Sequence, residues 1–294
     1  MSEPHPLRRE PWPTLLTVIR CPLCQERLEP DERSLRCPRR HTFDVAKHGY
    51  VSLLSGGRRG GSADTAGMVQ ARGGFLDAGH YAPLARTLAR TVAALGPEDG
   101  TLLDAGAGTG YYLAAALEAL PGATGLGLDA SPYALRRAAR AHPRAGAASW
   151  DVWKPFPVRD GGIDTVLNVF APRNGAEFHR VLRAGGALVV VTPTGAHLRE
   201  LRRGVGLLEV DPDKEERLER TLAAYFERER SETLEYTVEL SGRDVANLAA
   251  MGPAARHVRP EELSERVAAL GGPVGVTASF VVSVYRRAAA TGPR

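Results

Sequence analysis

The sequence predicts an α/β chain: a mostly parallel, seven-stranded sheet preceded by a small cysteine-bearing module. Three observations carry this expectation. All three cysteines and a histidine crowd into residues 21–41. A glycine-rich turn, DAGAGTG at residues 104–110, joins an apolar strand to a helix. Apolar runs then alternate with helical segments, as when crossover helices join parallel strands.

Length and composition set the frame. The 294 residues suffice for one large domain plus an appendage. With 43% hydrophobic and 24% charged residues, the chain can bury a core and remain soluble. No run approaches the ~20 apolar residues of a membrane span. The N-terminal stretch, whose apolar run is only Leu15–Ile19, does not read as a secretory signal. A cytoplasmic protein without membrane contact is expected. The net charge of +4 is localised: residues 1–60 hold eleven Lys/Arg against seven Asp/Glu, and the remainder balances at 27 of each. Such an excess fits a nucleic-acid contact or a merely solvated basic face.

The cysteine spacing is C-x2-C-x12-C-x3-H, made by Cys21, Cys24, Cys37 and His41. Two cysteines separated by two residues aim both thiolates at one ion, and the second pair closes a tetrahedron. Three sulfurs and one imidazole with no open position describe structural Zn2+. Three thiols cannot all pair as disulfides, and no thioredoxin-like context supports a redox role. Metal binding would supply much of the folding energy of so small a module. Arg20, Arg27, Arg33, Arg36, Arg39, Arg40 and Lys47 are candidate phosphate contacts around it. Residues 1–54 are therefore read as a zinc-binding RNA-recognition module. Residues 55–80 follow as a linker opening on the Gly/Ser-rich SGGRRGGSADTAG, and residues 81–294 form the catalytic domain. Helical spacing begins near Tyr81 and runs to Leu95.

The catalytic domain opens with the apolar strand Thr101–Leu103, followed by Asp104, Gly106, Gly108, Thr109 and Gly110. Glycines at this turn let the backbone approach a ligand closely. A dinucleotide fingerprint would need a glycine where Tyr111 stands. The acid at the strand end suits the amino group of a methionine moiety, whereas it would repel a pyrophosphate. The pattern resembles motif I of class I methyltransferases and their cofactor S-adenosyl-L-methionine; a tight turn in another α/β fold is the alternative. Asp129 ends the next strand, where an acid can accept both ribose hydroxyls. Further strands are expected at Ala147–Trp150, Gly162–Phe170, Ala187–Val191, Thr233–Leu240 and Val274–Val284. Helices are expected at Gly242–Met251 and Pro260–Ala269, and a charged helical insertion over 196–230.

Taken together, CPLCQERL, CPRRHTFDVAKHGYVSLL, QARGGFLDAGHY, LDAGAGTGYY, TPTGAHLREL and MGPAARH resemble the RlmA group of bacterial 23S rRNA guanine-N1 methyltransferases, especially its tylosin-resistance branch. The resemblance covers essentially the whole chain. It implies a class I methyltransferase fold (Rossmann-like, with a seven-stranded, mostly parallel sheet) behind an N-terminal zinc-binding module. It implies methyl transfer to guanine N1 in a domain II hairpin of 23S rRNA, of the guanine-748 type. It also implies zinc ligation by the four residues above, and cofactor contacts from Tyr81, Gly108, Thr109 and His197. Ala107 stands where relatives often carry Cys. A homodimer is compatible with the sequence.

Guanine N1 carries a proton that some group must remove or stabilise. His80, Asp151 and Asn168 are the candidates, and Phe170, Trp153 or Phe156 could stack on the base. Two rival functions remain at this stage: a small-molecule methyltransferase with a structural zinc module, and a non-catalytic RNA-binding protein.

Overall fold

A computed structural model of the protein describes residues 7, 10–54, 63–205, 219–252 and 259–288. The N-terminal module consists of helix α1 (Trp12–Val18) and a small antiparallel sheet of β1 (Glu29–Asp31), β2 (Ser34–Arg36) and β3 (Thr42–Asp44). Helices α2 (Ala66–Asp77) and α3 (Ala82–Ala93) lead into the main sheet. That sheet contains β4 (Thr101–Ala105), β5 (Thr124–Asp129), β6 (Ala145–Ser149), β7 (Ile163–Val169), β8 (Leu182–Pro193), β9 (Phe226–Leu240) and β10 (Val274–Arg287). Around it lie α4 (Tyr111–Glu118), α5 (Pro132–Ala138), α6 (Gly175–Val181), α7 (Arg199–Val205), α8 (Gly242–Met251) and α9 (Pro260–Ala268).

The strand order is β6-β5-β4-β7-β8-β10-β9. Strand β10 runs antiparallel to both of its neighbours, and the other pairings are parallel. Chain direction across the sheet therefore reverses at β4, where open α/β sheets bind ligands beyond their carboxyl ends. Every residue of β4 and β6 is buried, which is why these strands read as continuous small or apolar runs.

Two cores cover the two faces. One joins Phe75, Leu84, Leu88, Leu113 and Phe280. The other joins Leu103, Leu126 and Val166 of the sheet to Leu15, Ile19, Leu28 and Phe43 of the N-terminal module. The module is thus packed into the catalytic domain's own core. A Cβ on Gly146 of β6 would stand 2.4 Å from Leu15 Cδ1, so a glycine there admits α1 to the sheet. Val51 then extends the sheet edge beside β6. Its N–H donates to Ala147 O, and Ser149 N–H donates to Val51 O, both at 2.9 Å. A second seam runs from Arg20 N–H to Pro157 O and from Arg159 N–H to Val18 O, again at 2.9 Å.

Two expectations need correcting. In the expected linker, residues 55–62 lie outside the described residues, but Ala66–Asp77 form α2. This helix is capped by Thr65 Oγ1, which accepts from Met68 N–H at 3.3 Å, and it buries Phe75 and Leu76. Gly73 and Gly74 conceal it, because glycine weakens helix propensity. Here they make room instead: a Cβ on Gly73 would collide with Arg137 Nη1 at 1.9 Å, and one on Gly74 would meet Asn247 Nδ2 at 3.0 Å. The charged segment 196–230 is helical only in part among the described residues. Its end already belongs to β9, whose charged side chains face solvent on the open edge of the sheet. Charge on such an edge discourages pairing with a second sheet.

The shared core predicts that Leu15→Ala destabilises the whole molecule by about 2–5 kcal/mol. Thermal unfolding followed at catalytic-domain tryptophans should show one transition shifted downward. An unmoved catalytic transition would mean that the module is only tethered.

Candidate active site and metal centre

Cys21, Cys24, Cys37 and His41 converge, with one ligand atom of each lying within 4.8 Å of the others. The Sγ atoms of Cys21 and Cys37 each lie 3.4 Å from His41 Nδ1, and the Sγ atoms of Cys24 and Cys37 are 3.6 Å apart. With metal–ligand distances of about 2.0–2.3 Å, a tetrahedral site has edges close to these. The two halves are matching tight turns. Gln25 N–H donates to Cys21 O and Arg40 N–H to Cys37 O, each at 2.8 Å, with Gln25 and Arg40 at positive φ. The donor set fits Zn2+ with no position left for substrate, so the metal is structural.

The candidate cofactor site lies at the carboxyl ends of β4 and β5. Gly106, Gly108 and Gly110 take φ of 87°, 54° and 79°. The loop is drawn against β5 by Gly106 and Ala107 N–H, which donate to Leu128 O at 2.9 and 3.0 Å. A Cβ on Gly106 would lie 2.5 Å from Ala171 Cβ, so the loops after β4 and β7 close on each other. Asp129 accepts from Gly108 N–H on Oδ2 at 2.9 Å and from Ser131 N–H on Oδ1 at 2.8 Å. Each of its oxygens keeps a lone pair for a ligand hydroxyl. Thr109 lies half-buried between Gly108 and Gly110.

Asp104 is buried at the end of β4, and its Oδ1 has no hydrogen-bond partner among the described residues. Burial, and then the nearby Asp129, raises its carboxyl from 3.8 to about 7. A buried acceptor without a donor, beside a cradle that any Cβ would fill, fits the ammonium end of the methionine part of S-adenosyl-L-methionine.

Tyr81 and His197, 116 residues apart, meet here, with Tyr81 Oη 3.1 Å from His197 Nε2. Ser279 N–H donates to His197 Nδ1 at 3.2 Å, which leaves the ring hydrogen on Nε2 to donate to Tyr81. Burial, and then Arg202, pushes His197 from 6.5 down to about 4, so the imidazole is neutral near pH 7. The Tyr81 ring also packs edge-on against Phe75 and Phe280. Neither residue has a local signal in the sequence, because only the fold brings them together.

The candidate bases sort differently. Asn168 is fully buried and its Nδ2 donates to Ala105 O at 3.2 Å and Pro172 O at 2.9 Å. Its Nδ2 ties β7 to the β4 end and to the following loop, while its buried Oδ1 has no hydrogen-bond partner among the described residues. His80 Nε2 lies 3.2 Å from Asp244 Oδ1, and the His80 ring packs on Phe75. Asp151, just past β6, accepts from Trp153 N–H on Oδ1 at 3.0 Å, and no partner for Oδ2 is found among the described residues. Phe156 is a core residue beside Phe178, not a stacking platform. Phe170 is 44% exposed and sits at φ 54°, a rare conformation for a bulky residue.

Fold and sites together define a class I S-adenosylmethionine-dependent methyltransferase carrying a structural zinc ribbon. The comparisons agree. The RlmA N-terminal zinc ribbon family matches residues 19–56, and the methyltransferase domain family matches residues 103–190. The chain is 48% identical to the 23S rRNA (guanine(748)-N(1))-methyltransferase of Streptomyces fradiae, over 92% of this chain and 98% of that protein. It is equally 48% identical to a protein described as a 23S rRNA (guanine-N(1)-)-methyltransferase in Micromonospora griseorubida, over 93% and 99% of the two chains. A similarly described protein of Bacillus subtilis, YxjB, is 35% identical over 64% of this chain and 68% of its own. The chain belongs to the 23S rRNA (guanine-N1) methyltransferase family.

Asp104 predicts a pH dependence. Its folded-state pKa lies above the ordinary 3.8, so the folded state holds the proton more tightly than the unfolded chain. The resulting stability is complete below about pH 4 and is lost as pH rises towards about 7. An ammonium ligand favours the ionised form, so cofactor affinity should rise over the upper part of that range. Thermal unfolding and cofactor binding measured against pH should show both slopes, and Asp104→Asn should flatten both.

Proposed function

We propose that the protein transfers a methyl group from S-adenosyl-L-methionine to N1 of a guanine in a domain II hairpin of 23S rRNA. The expected target is of the guanine-748 type, and the expected consequence is resistance to tylosin-like macrolides. The observation that carries this reading is the near full-length identity to the Streptomyces fradiae enzyme. The alternatives of a small-molecule enzyme or a non-catalytic binder lack a comparable observation.

The cofactor, when bound, supplies an already activated methyl group, so the protein's task is alignment and proton handling. Asp104 would hold the ammonium end and Asp129 the ribose. The backbone of Gly106, Gly108, Thr109 and Gly110 would form the floor, and Tyr81 with His197 one wall. Phe170 would stack on the extruded guanine: its ring lies against Phe280, Tyr112 and Tyr81, at 5.6, 6.1 and 6.4 Å between centroids, and the residue is 44% exposed. Strained backbone is tolerated where such a side chain must be presented. Asp151, just past β6, would accept the N1 proton.

The hairpin stem would lie on the cationic surface of the zinc ribbon, in the cytoplasm where ribosomes are found. Arg39 and Arg40 are exposed and have no carboxylate partner among the described residues. The positive surface continues across the seam between the modules. There His48 Nδ1 lies 3.2 Å from Arg140 Nη2, and desolvation, then the charges of Arg136, Arg140 and Lys47, depress the His48 imidazole. Phosphate contacts of this kind set register, while base contacts set specificity.

Nuclease digestion and mass spectrometry of 23S rRNA treated with the protein and labelled cofactor should reveal one new 1-methylguanosine, in the domain II hairpin. Label in small molecules but not in rRNA would overturn the proposal. Phe170→Ala should cost about 1–3 kcal/mol of RNA binding while leaving cofactor affinity unchanged. Asp151→Asn should lower kcat roughly 100- to 10,000-fold. A loss confined to cofactor affinity would instead place Asp151 against the adenine edge.

A further inference from the structure

Three buried or half-buried acids (Asp64, Asp104 and Asp129) gather at the cofactor site, and one cation faces them from α2. Arg72 Nη1 lies 3.5 Å from the point where a Cβ on Gly108 would stand. The same nitrogen pairs with Asp64 Oδ2, and Nη2 donates to Met251 O at 3.0 Å. Both charged side chains are largely withdrawn from solvent, at 26% and 20% exposure. Asp64 is fixed in turn, its carbonyl accepting from Ser131 Oγ at 2.7 Å next to Asp129. The positive charge is felt across the site, opposing the upward push that burial exerts on Asp129 and Tyr112. Arg72 thus stands against the glycine loop at Gly108, within electrostatic reach of Asp129 and Tyr112.

The methionine end of the cofactor is a zwitterion, and the site described above matches only part of it. Asp104 suits the ammonium and Asp129 suits the ribose, but neither accommodates a carboxylate. We infer that Arg72 is the cofactor's carboxylate-binding residue, holding the α-carboxylate of the methionine moiety beside Gly108. Asp64 and Met251 O occupy part of the guanidinium fork and fix its plane. Five N–H donors leave enough for a further carboxylate, and a planar fork matches that group in a way an ammonium does not. Arg72 is thus a positioning residue, because anchoring the carboxylate sets where the sulfonium methyl stands relative to the target base. The inference rests on the cofactor reading.

Calorimetric titration of the full-length, zinc-loaded protein with two ligands separates the two. S-adenosyl-L-methionine carries the carboxylate, and decarboxylated S-adenosylmethionine differs only in lacking it. Arg72→Gln should weaken the first by roughly ten- to hundredfold and the second by less than about threefold. Arg72→Lys, which keeps the charge but loses the fork, should fall between wild type and Arg72→Gln for the first ligand only. It also serves if the glutamine variant fails to fold. Equal losses for both ligands would make Arg72 a structural residue and overturn the inference, as would no loss for either. Failure of the wild-type protein to bind either ligand would overturn the cofactor reading and the inference with it.

Discussion

The catalytic edge depends on the absence of side chains at Gly106 and Gly110. A Cβ on Gly106 would collide with Ala171 Cβ, and one on Gly110 would come within 2.9 Å of Ala141 Cβ and 3.0 Å of Ala138 Cα. Only without them can the loop after β4 settle between the β7 loop and α5. Once it does, Gly108 N–H reaches Asp129, Asp104 is sealed beneath the loop, and Phe170 stands at the rim. The positive φ of all three glycines belongs to the same requirement, because L side chains are unfavourable there.

That closure also determines the electrostatics. Burial raises both Asp104 and Asp129 above their ordinary range; Asp129 adds to the rise at Asp104, and Asp64 adds to that at Asp129. Such an arrangement is costly for the empty fold. It becomes favourable for a ligand carrying a sulfonium and an ammonium, which a pocket of neutral groups would hold less selectively.

Much of this was legible in the chain, for reasons that also explain what was not. The cysteine spacing and the acid–glycine turn are local, so Cys21, Cys24, Cys37 and His41, which converge, and the candidates Asp104 and Asp129 could be picked out directly. The central strands could be read because burial on both faces leaves unbroken apolar runs. Helix α2 was obscured because Gly73 and Gly74, which serve close packing against Arg137 and Asn247, look like linker residues. The first part of β9 was obscured because its charges suit an exposed edge as well as a helix. The Tyr81–His197 pair has no local signature, and only a family resemblance pointed to it. Asn168 stood out because polar residues are rare in a central strand; its Nδ2 bonds to the backbone at the end of β4 and in the loop after β7.

The seam between α1 and the sheet bears on how such an enzyme can evolve. Leu15 fills the space above Gly146, and Val51 hydrogen-bonds to the backbone on both sides of Ala148. The zinc ribbon cannot be exchanged as a cassette between methyltransferases, because its partner surface is written into β6. Lineages that diverge in RNA target must change the two parts together. Sequence drift at residue 15 should therefore be tied to drift at residue 146, although neither belongs to the Cys/His cluster or to the glycine loop.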